Sequence, residues 1–137
     1  MAAMKPIALT TSVTLDRDTH MGTTCLINAS GGFTITLPEA TGSGDVYKFY
    51  VQTTLTASAT IAALTTDIMQ GVAVVSTTNT AGTVGTSATS DKLVMNGSTT
   101  GGLVGSWIEL EDVVDGAWKV NAGLVASGSF ATPFSAT

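Results

Sequence analysis

Short runs in which apolar and polar residues alternate recur along this chain. In residues 33–37, Phe33, Ile35 and Leu37 alternate with threonines, and residues 46–52 repeat the pattern. A period of two places the apolar side chains on one face of an extended strand, whereas a surface helix needs a period near 3.6. The pattern predicts β-strands, and no segment shows sustained helical periodicity.

The alternating or β-branched runs follow one another at the spacing that is typical of sandwiches and barrels. They cover residues 12–15, 23–28, 33–37, 46–52, 59–63, 68–75, 92–95, 107–112 and 118–122. We therefore predict an all-β fold, a single-domain antiparallel β-sandwich or barrel-like fold of about eight to ten strands. The β domain is predicted at residues 12–123, between an N-terminal arm (residues 1–11) and a C-terminal tail (residues 124–137).

Glycine-rich turns separate the predicted strands. Residues 30–51 are predicted to form a hairpin around a Gly/Ser loop at residues 40–45. The Asp115-Gly116 pair favours a two-residue turn, which would place Asp112 opposite Lys119 and Val113 opposite Trp118. The Ser/Thr/Gly/Ala tract at residues 76–90 is interpreted either as a long exposed loop or as irregular edge strands.

Composition narrows the range of partners. Of the 137 residues, 11 % are charged and the net charge is -5, whereas an average globular protein has about 25 % charged residues. The few Lys and Arg residues are scattered, which argues against a nucleic-acid partner because binding to phosphates needs clustered cations. No apolar run is long enough to cross a bilayer, so no membrane partner is predicted. The N-terminal residues lack a signal-peptide pattern and the single cysteine cannot form an internal disulfide, which predicts synthesis in a cytoplasm.

Two residues could serve in catalysis or metal binding. His20 lies beside Asp16 and Asp18, but there is no second His, and a metal site needs three or four ligands. We interpret His20 as a polar loop residue with a satisfied hydrogen bond. Cys25 is flanked by β-formers without a cation, so we interpret it as a small buried hydrophobe rather than a nucleophile.

Two pairs of residues in the last strands could also carry chemistry. Glu109 and Glu111 share one face of a strand, where carboxylates can bind calcium or hydrolyse a glycosidic bond. Their alternation with apolar residues favours a solvated face instead. Trp107 and Trp118 could stack on a sugar, but strand positions favour packing in the core. No catalytic residue, cofactor-binding residue or metal ligand is therefore predicted.

Three segments together resemble a known family. They read INASGGFTITLPEATGSGDVYKFYV, TIAALTTDIMQGVAVV and SDKLVMNGSTTGGLVGSWIELEDVVDGAWKVNAGLVASGSFATPFS, and they fall between residues 23 and 135. In this order they resemble small β-rich structural proteins of tailed bacteriophages, which are head decoration (cement) proteins or head-fibre modules. Gly105-Ser106 departs from the Gly-Asp that members often have at this turn.

The resemblance implies a virion structural protein. As a decoration protein, the chain would bind the outside of the major capsid protein lattice and stabilise the shell. It would lie on the outer capsid surface of the virion as a homotrimer, after synthesis in the bacterial host cytoplasm. The alternative is a head- or tail-fibre module that binds a receptor, with a glycan as a further partner.

Both ends of the chain are candidate contact segments. Met4, Lys5, Pro6 and Ile7 precede the region of resemblance, and Pro6 favours an extended chain, so we predict that they contact the capsid. The tail lies within the resemblance and carries isolated apolar residues. We predict a subunit interface there, at Phe130, Pro133 and Phe134.

Overall fold

The computed structural model describes residues 5–78 and 80–137. These residues form twelve β-strands and one short helix, α1 (Arg17–His20). The strands are β1 (Ile7–Leu9), β2 (Val13–Thr14), β3 (Thr24–Ile27), β4 (Thr34–Thr36), β5 (Val46–Val51), β6 (Ala59–Ala62), β7 (Ile68–Ser76), β8 (Ala81–Gly85), β9 (Lys92–Met95), β10 (Trp107–Val114), β11 (Ala117–Val125) and β12 (Phe134–Ser135).

The strands form two sheets. The larger is seven-stranded, in the order β1-β3-β5-β10-β11-β7-β8, and the smaller is five-stranded, in the order β12-β9-β6-β4-β2. The prediction of an all-β fold is confirmed. The barrel-like alternative is wrong, because the terminal strands of neither sheet pair with each other in the part of the chain that the structure describes.

In the first half of the chain, successive strands alternate between the two sheets, so that the chain winds around the core. Strands β1, β3 and β5 lie side by side and parallel in the larger sheet, and β2, β4 and β6 do so in the smaller one. The chain crosses to the other sheet after each of these strands, so strands that share a sheet run in the same direction. The prediction of antiparallel sheets is therefore wrong for this half. The second half is mixed: β10 and β11 pair antiparallel, but β7 and β11 pair in parallel, so the antiparallel prediction holds there only in part.

The hairpin predicted at residues 30–51 is also wrong. Its two strands, β4 and β5, lie in different sheets. The connecting residues 37–45 are enough to bridge two packed sheets, which lie about 10 Å apart. A strand with one buried face shows the same alternation whether its neighbour in sequence pairs with it or packs opposite it, so the pattern could not distinguish the two arrangements.

One hydrophobic core lies between the sheets. Tyr47 of β5 and Trp118 of β11 meet edge to face within it, with their ring centroids 5.8 Å apart. The smaller sheet contributes Ile35, Ile61 and Leu93, which are all fully buried. Because both sheets bury their apolar faces in the same cluster, neither could be stable without the other.

Residues near both ends of the chain also form strands. Strand β1 lies within the predicted arm (residues 1–11) and pairs with β3, while β12 lies within the predicted tail (residues 124–137) and pairs with β9. Strand β11 continues to Val125, beyond the predicted boundary at residue 123. Within the 76–90 tract, β8 is an edge strand, in agreement with the second interpretation of that tract.

Strands β10 and β11 form the predicted hairpin around Asp115 and Gly116. The register differs by one residue from the prediction, because Asp112 pairs with Trp118 rather than with Lys119. The ladder shifts just after Asp112, where β10 carries a β-bulge. A bulge adds one residue to one strand of a pair, so turn type and loop length alone gave the wrong register beyond it.

Candidate functional site on the outer face of the larger sheet

Cys25 is fully buried in β3. Burial raises the pKa of its thiol to about 11, which keeps it protonated at neutral pH. The thiolate is the reactive form, so this cysteine is not a nucleophile in the folded chain. The prediction that Cys25 is a small buried hydrophobe is confirmed.

His20 ends the short helix α1 and is almost completely buried. Its Nδ1 accepts a hydrogen bond from the backbone N–H of Asp16 at 3.0 Å, which confirms the prediction of a satisfied polar group. Within the described part of the chain, no group of three or more His, Cys, Asp or Glu side chains is placed to hold a metal ion.

Glu109 and Glu111 lie on the outer face of the larger sheet. Their register partners include two cationic residues, Lys48 opposite Glu109 and Lys119 opposite Glu111. Opposite charges across a ladder stabilise the pairing of strands. The interpretation of these glutamates as part of a solvated face is confirmed.

The two tryptophans lie on opposite faces of the sheet. Trp118 is 1 % exposed, as predicted for a core residue, but Trp107 is 43 % exposed. The prediction of a core position for Trp107 is wrong. Strand parity could have revealed this, because residues two apart share a face and Trp107 therefore shares one with Glu109 and Glu111.

Trp107 belongs to a line of uncharged residues that crosses the whole outer face, which we call the neutral row. Each member is the register partner of the next on the neighbouring strand. From β1 to β8 the neutral row consists of Ala8, Leu26, Tyr50, Trp107, Gly123, Val74 and Thr83. With strands about 4.8 Å apart, it is roughly 29 Å long.

The indole of Trp107 lies over Gly123 on the neighbouring strand. A Cβ atom at Gly123 would be only 2.4 Å from the indole Nε1 and 2.7 Å from Cε2, so the indole occupies the space that any other residue would fill. Tyr50, the register partner of Trp107 on β5, is 38 % exposed. Two exposed aromatic residues are therefore adjacent near the middle of the sheet.

A second row of the outer face runs beside the neutral row, and on each strand its member is two residues away from the member of the neutral row. Hydrogen-bonding side chains occupy its first four positions, and a depression of about 200 Å³ lies where the two rows meet around Trp107. From β3 to β8 the second row consists of Thr24, Lys48, Glu109, Asn121, Val72 and Gly85.

The predicted capsid-contact residues lie at one edge of the same sheet. Met4 is outside the described residues. Lys5 and Pro6 are exposed, and Ile7 is half-buried as the first residue of the edge strand β1. The carbonyl of Lys5 accepts a hydrogen bond of 2.9 Å from the Thr23 hydroxyl, which attaches this segment to the sandwich.

The predicted subunit-interface residues occupy different environments. Phe134 is 7 % exposed and belongs to the core of its own chain, and Pro133 is buried beside it. Phe130 is 38 % exposed, and its ring covers Gly82 of β8, where an added Cβ would collide with the ring. Of the three residues, Phe130 offers the most surface to a second subunit.

No family model, curated protein or solved structure matches this chain. Among residues 5–78 and 80–137, no helix has the length and apolar character needed to span a membrane.

Proposed function

We propose that the protein is a capsid decoration protein, which binds the outside of the major capsid protein lattice of a tailed bacteriophage and stabilises the shell. The resemblance of its sequence to phage structural proteins supports this proposal, and so does the all-β fold. Cys25 and His20, whose side chains are the most reactive candidates for catalysis, are buried in structural roles. These two residues therefore give no support to a catalytic alternative.

The observation that carries the proposal is the position of the N-terminal segment at an exposed edge of the larger sheet. Strand β1 is the terminal strand of that sheet and pairs only with β3 in the described chain. Lys5 and Pro6 precede it and are exposed. An extended segment at a sheet edge can add backbone hydrogen bonds to a partner, which compensates for the weak contacts of a surface poor in charge.

The stabilisation would follow from binding linkage. A protein that binds the closed lattice but not its dissociated subunits adds its binding free energy to the closed state. A lattice also presents equivalent sites around its symmetry axes, which suits a symmetric oligomer. We propose a homotrimer, with the exposed Phe130 at the contact between subunits.

Co-sedimentation with undecorated capsids of the phage tests the role of the N-terminal segment. The variant lacks residues 2–4 and carries Lys5→Ser and Pro6→Ser, which leaves β1 intact. We expect it to bind about tenfold more weakly or worse, because the segment supplies a large share of the contact. Lys119→Ser is the matched control, since it removes the same charge from an exposed position on β11, and it should bind like the wild type.

Equal binding by the truncated variant would contradict the role of the N-terminal segment. A cryo-EM map of the virion tests the function itself. Density for this chain on the outer capsid surface is expected, and density confined to the tail would overturn the proposal.

A further inference from the structure

We infer that Trp107 and Tyr50 form a carbohydrate-binding platform on the outer face of the larger sheet, with Lys48 and Glu109 as hydrogen-bonding partners for sugar hydroxyls. This site is separate from the N-terminal segment that the proposed capsid contact uses. The ligand class is an oligosaccharide that presents the C–H face of its rings to the aromatic residues.

The aromatic part of the site consists of two exposed residues on neighbouring strands. Trp107 and Tyr50 are register partners, so their side chains stand next to each other on the outer face. The indole packs against Gly123 on one side of Trp107, and 43 % of this residue stays exposed to solvent. The negative face of an aromatic ring attracts polarised C–H groups, and a sugar ring carries several of them on one face.

Two charged side chains, Lys48 and Glu109, lie beside the aromatic residues on the same face of the sheet. Lys48 is two residues from Tyr50, and Glu109 is two residues from Trp107, so each polar group shares a strand and a face with one aromatic residue. The ammonium group only donates hydrogen bonds and the carboxylate only accepts them. Together they can serve both roles of a sugar hydroxyl, and both line the depression next to Trp107.

The same arrangement is poorly suited to the centre of a protein–protein interface. Such centres are depleted of charged residues, which remain at the rim. Here Lys48 and Glu109 lie directly beside the exposed aromatic pair rather than at the edge of the sheet. A ligand that is apolar on its ring faces and hydroxylated around its rim fits both rows at once.

Titration of the protein with cellohexaose, maltohexaose and chitohexaose tests the inference. The readout is the indole N–H resonance in ¹H–¹⁵N NMR spectra, since the chain has two tryptophans and the buried Trp118 serves as an internal control. We expect at least one of these oligosaccharides to shift the Trp107 resonance and leave the Trp118 resonance in place. The absence of any shift up to about 10 mM would overturn the inference, because that concentration detects even millimolar dissociation constants.

Variants then show whether binding depends on the proposed groups. Trp107→Ala should weaken binding about tenfold or more, as measured by isothermal titration calorimetry. Gly123→Ala keeps both aromatic residues but places a methyl group where the indole lies, and it should weaken binding as well. Glu109→Ala should weaken binding about fivefold, whereas Glu111→Ala, two residues further along the strand, should not.

Two other outcomes would also overturn the inference. In one, an oligosaccharide binds but Trp107→Ala binds it equally well. In the other, Trp107→Ala loses capsid binding while no oligosaccharide binds the wild type, which would make this face a protein contact.

Discussion

At the scale of single residues, Asp112 links the two halves of the fold. Its carboxylate is buried at the end of the regular part of β10 and accepts hydrogen bonds from the N–H groups of Thr41 and Gly42, at 3.0 and 2.7 Å, and from the Ser43 hydroxyl at 2.8 Å. These donors belong to the segment that crosses between the sheets after β4. The left-handed conformation of Gly42, with φ of 80°, lets the loop turn its backbone toward the carboxylate.

Burial alone would raise the pKa of Asp112, but the hydrogen bonds from the loop outweigh burial and lower it below the ordinary value of 3.8. A carboxyl group whose pKa is lower in the folded state stabilises the fold above its ordinary pKa, and this stabilisation is lost as the pH falls through the lowered pKa. The crossover loop should therefore loosen in acid.

Asp112→Asn tests this link. At pH 7 we expect the free energy of unfolding to fall by about 1.5–3 kcal/mol, the usual contribution of hydrogen bonds to a charged group. The difference from the wild type should shrink as the pH falls below about 4, because the carboxylate of the unfolded wild-type chain is protonated first and that of the folded chain follows at its lowered pKa. Urea unfolding at several pH values measures both effects. Asp115→Asn in the exposed turn is the control, and a constant difference across the pH range would contradict the prediction.

Sequence alone predicted the environment of some residues and not of others. Cys25 could be placed in the core because its neighbours are β-formers on an alternating strand. Trp107 was predicted in the core because strand positions favour packing there, although strand parity places it with Glu109 and Glu111. Gly123 could not be linked to Trp107 from sequence, since their contact depends on the pairing of β10 with β11.

At the scale of elements, most strands of the β domain were predictable from the sequence, and the short strands near the two ends of the chain were not. Strand β9 has the predicted bounds, and β5 and β7 differ from theirs by one residue. Strands β1 and β12 were not predicted, because they have only three and two residues, too few to establish a period of two. Their conformation comes from pairing: Phe134 in β12, for example, lies opposite Leu93 in β9.

Phe134→Ala tests how the C-terminal strand contributes to stability. Because Phe134 lies in the core of its own chain, we expect the free energy of unfolding to fall by about 3–5 kcal/mol. In protein dilute enough to be monomeric, Phe130→Ala, at an exposed position, should change it by less than about 1 kcal/mol. Urea unfolding at several protein concentrations separates the roles. A loss for Phe134→Ala that vanishes in dilute protein would show instead that the residue stabilises an oligomer.

At the scale of the whole molecule, the order of the strands was beyond the reach of the sequence pattern. The all-β class follows from alternation and turn spacing, both of which are local. The alternation of β1 to β6 between the sheets depends on which sheet each strand joins. Because strands of either sheet bury one face in the same core, their sequence patterns do not differ. The neutral row was hidden for the same reason, because it joins residues as distant in sequence as Ala8 and Thr83.

Among the described residues, no strand pairs with the outer side of β8, so the larger sheet has a second free edge opposite β1, and this edge bears on the proposed oligomer. The N–H group of Thr86 donates a hydrogen bond of 3.1 Å to the Gly71 carbonyl on β7. Along an antiparallel pair, every second residue hydrogen-bonds to the partner strand. The backbone groups of Ala81, Thr83 and Gly85 therefore point to the free edge. Strand β8 contains no charged residue and no proline, which natural edge strands often carry to prevent pairing with another chain. Pairing or covering of this edge in an oligomer would remove the exposure.

Light scattering on the purified protein at micromolar concentration tests the proposed trimer. We expect a mass three times the 13.8 kDa of one chain. Thr83→Lys would place a charge at the edge of β8, and Phe130→Ala would remove the exposed ring that covers Gly82, so both should shift the mass toward that of a monomer. Val113→Ala alters an exposed residue in the β10–β11 hairpin and should leave the mass unchanged. A wild-type mass of 13.8 kDa would exclude a trimer in solution and leave the capsid lattice as the only template for one.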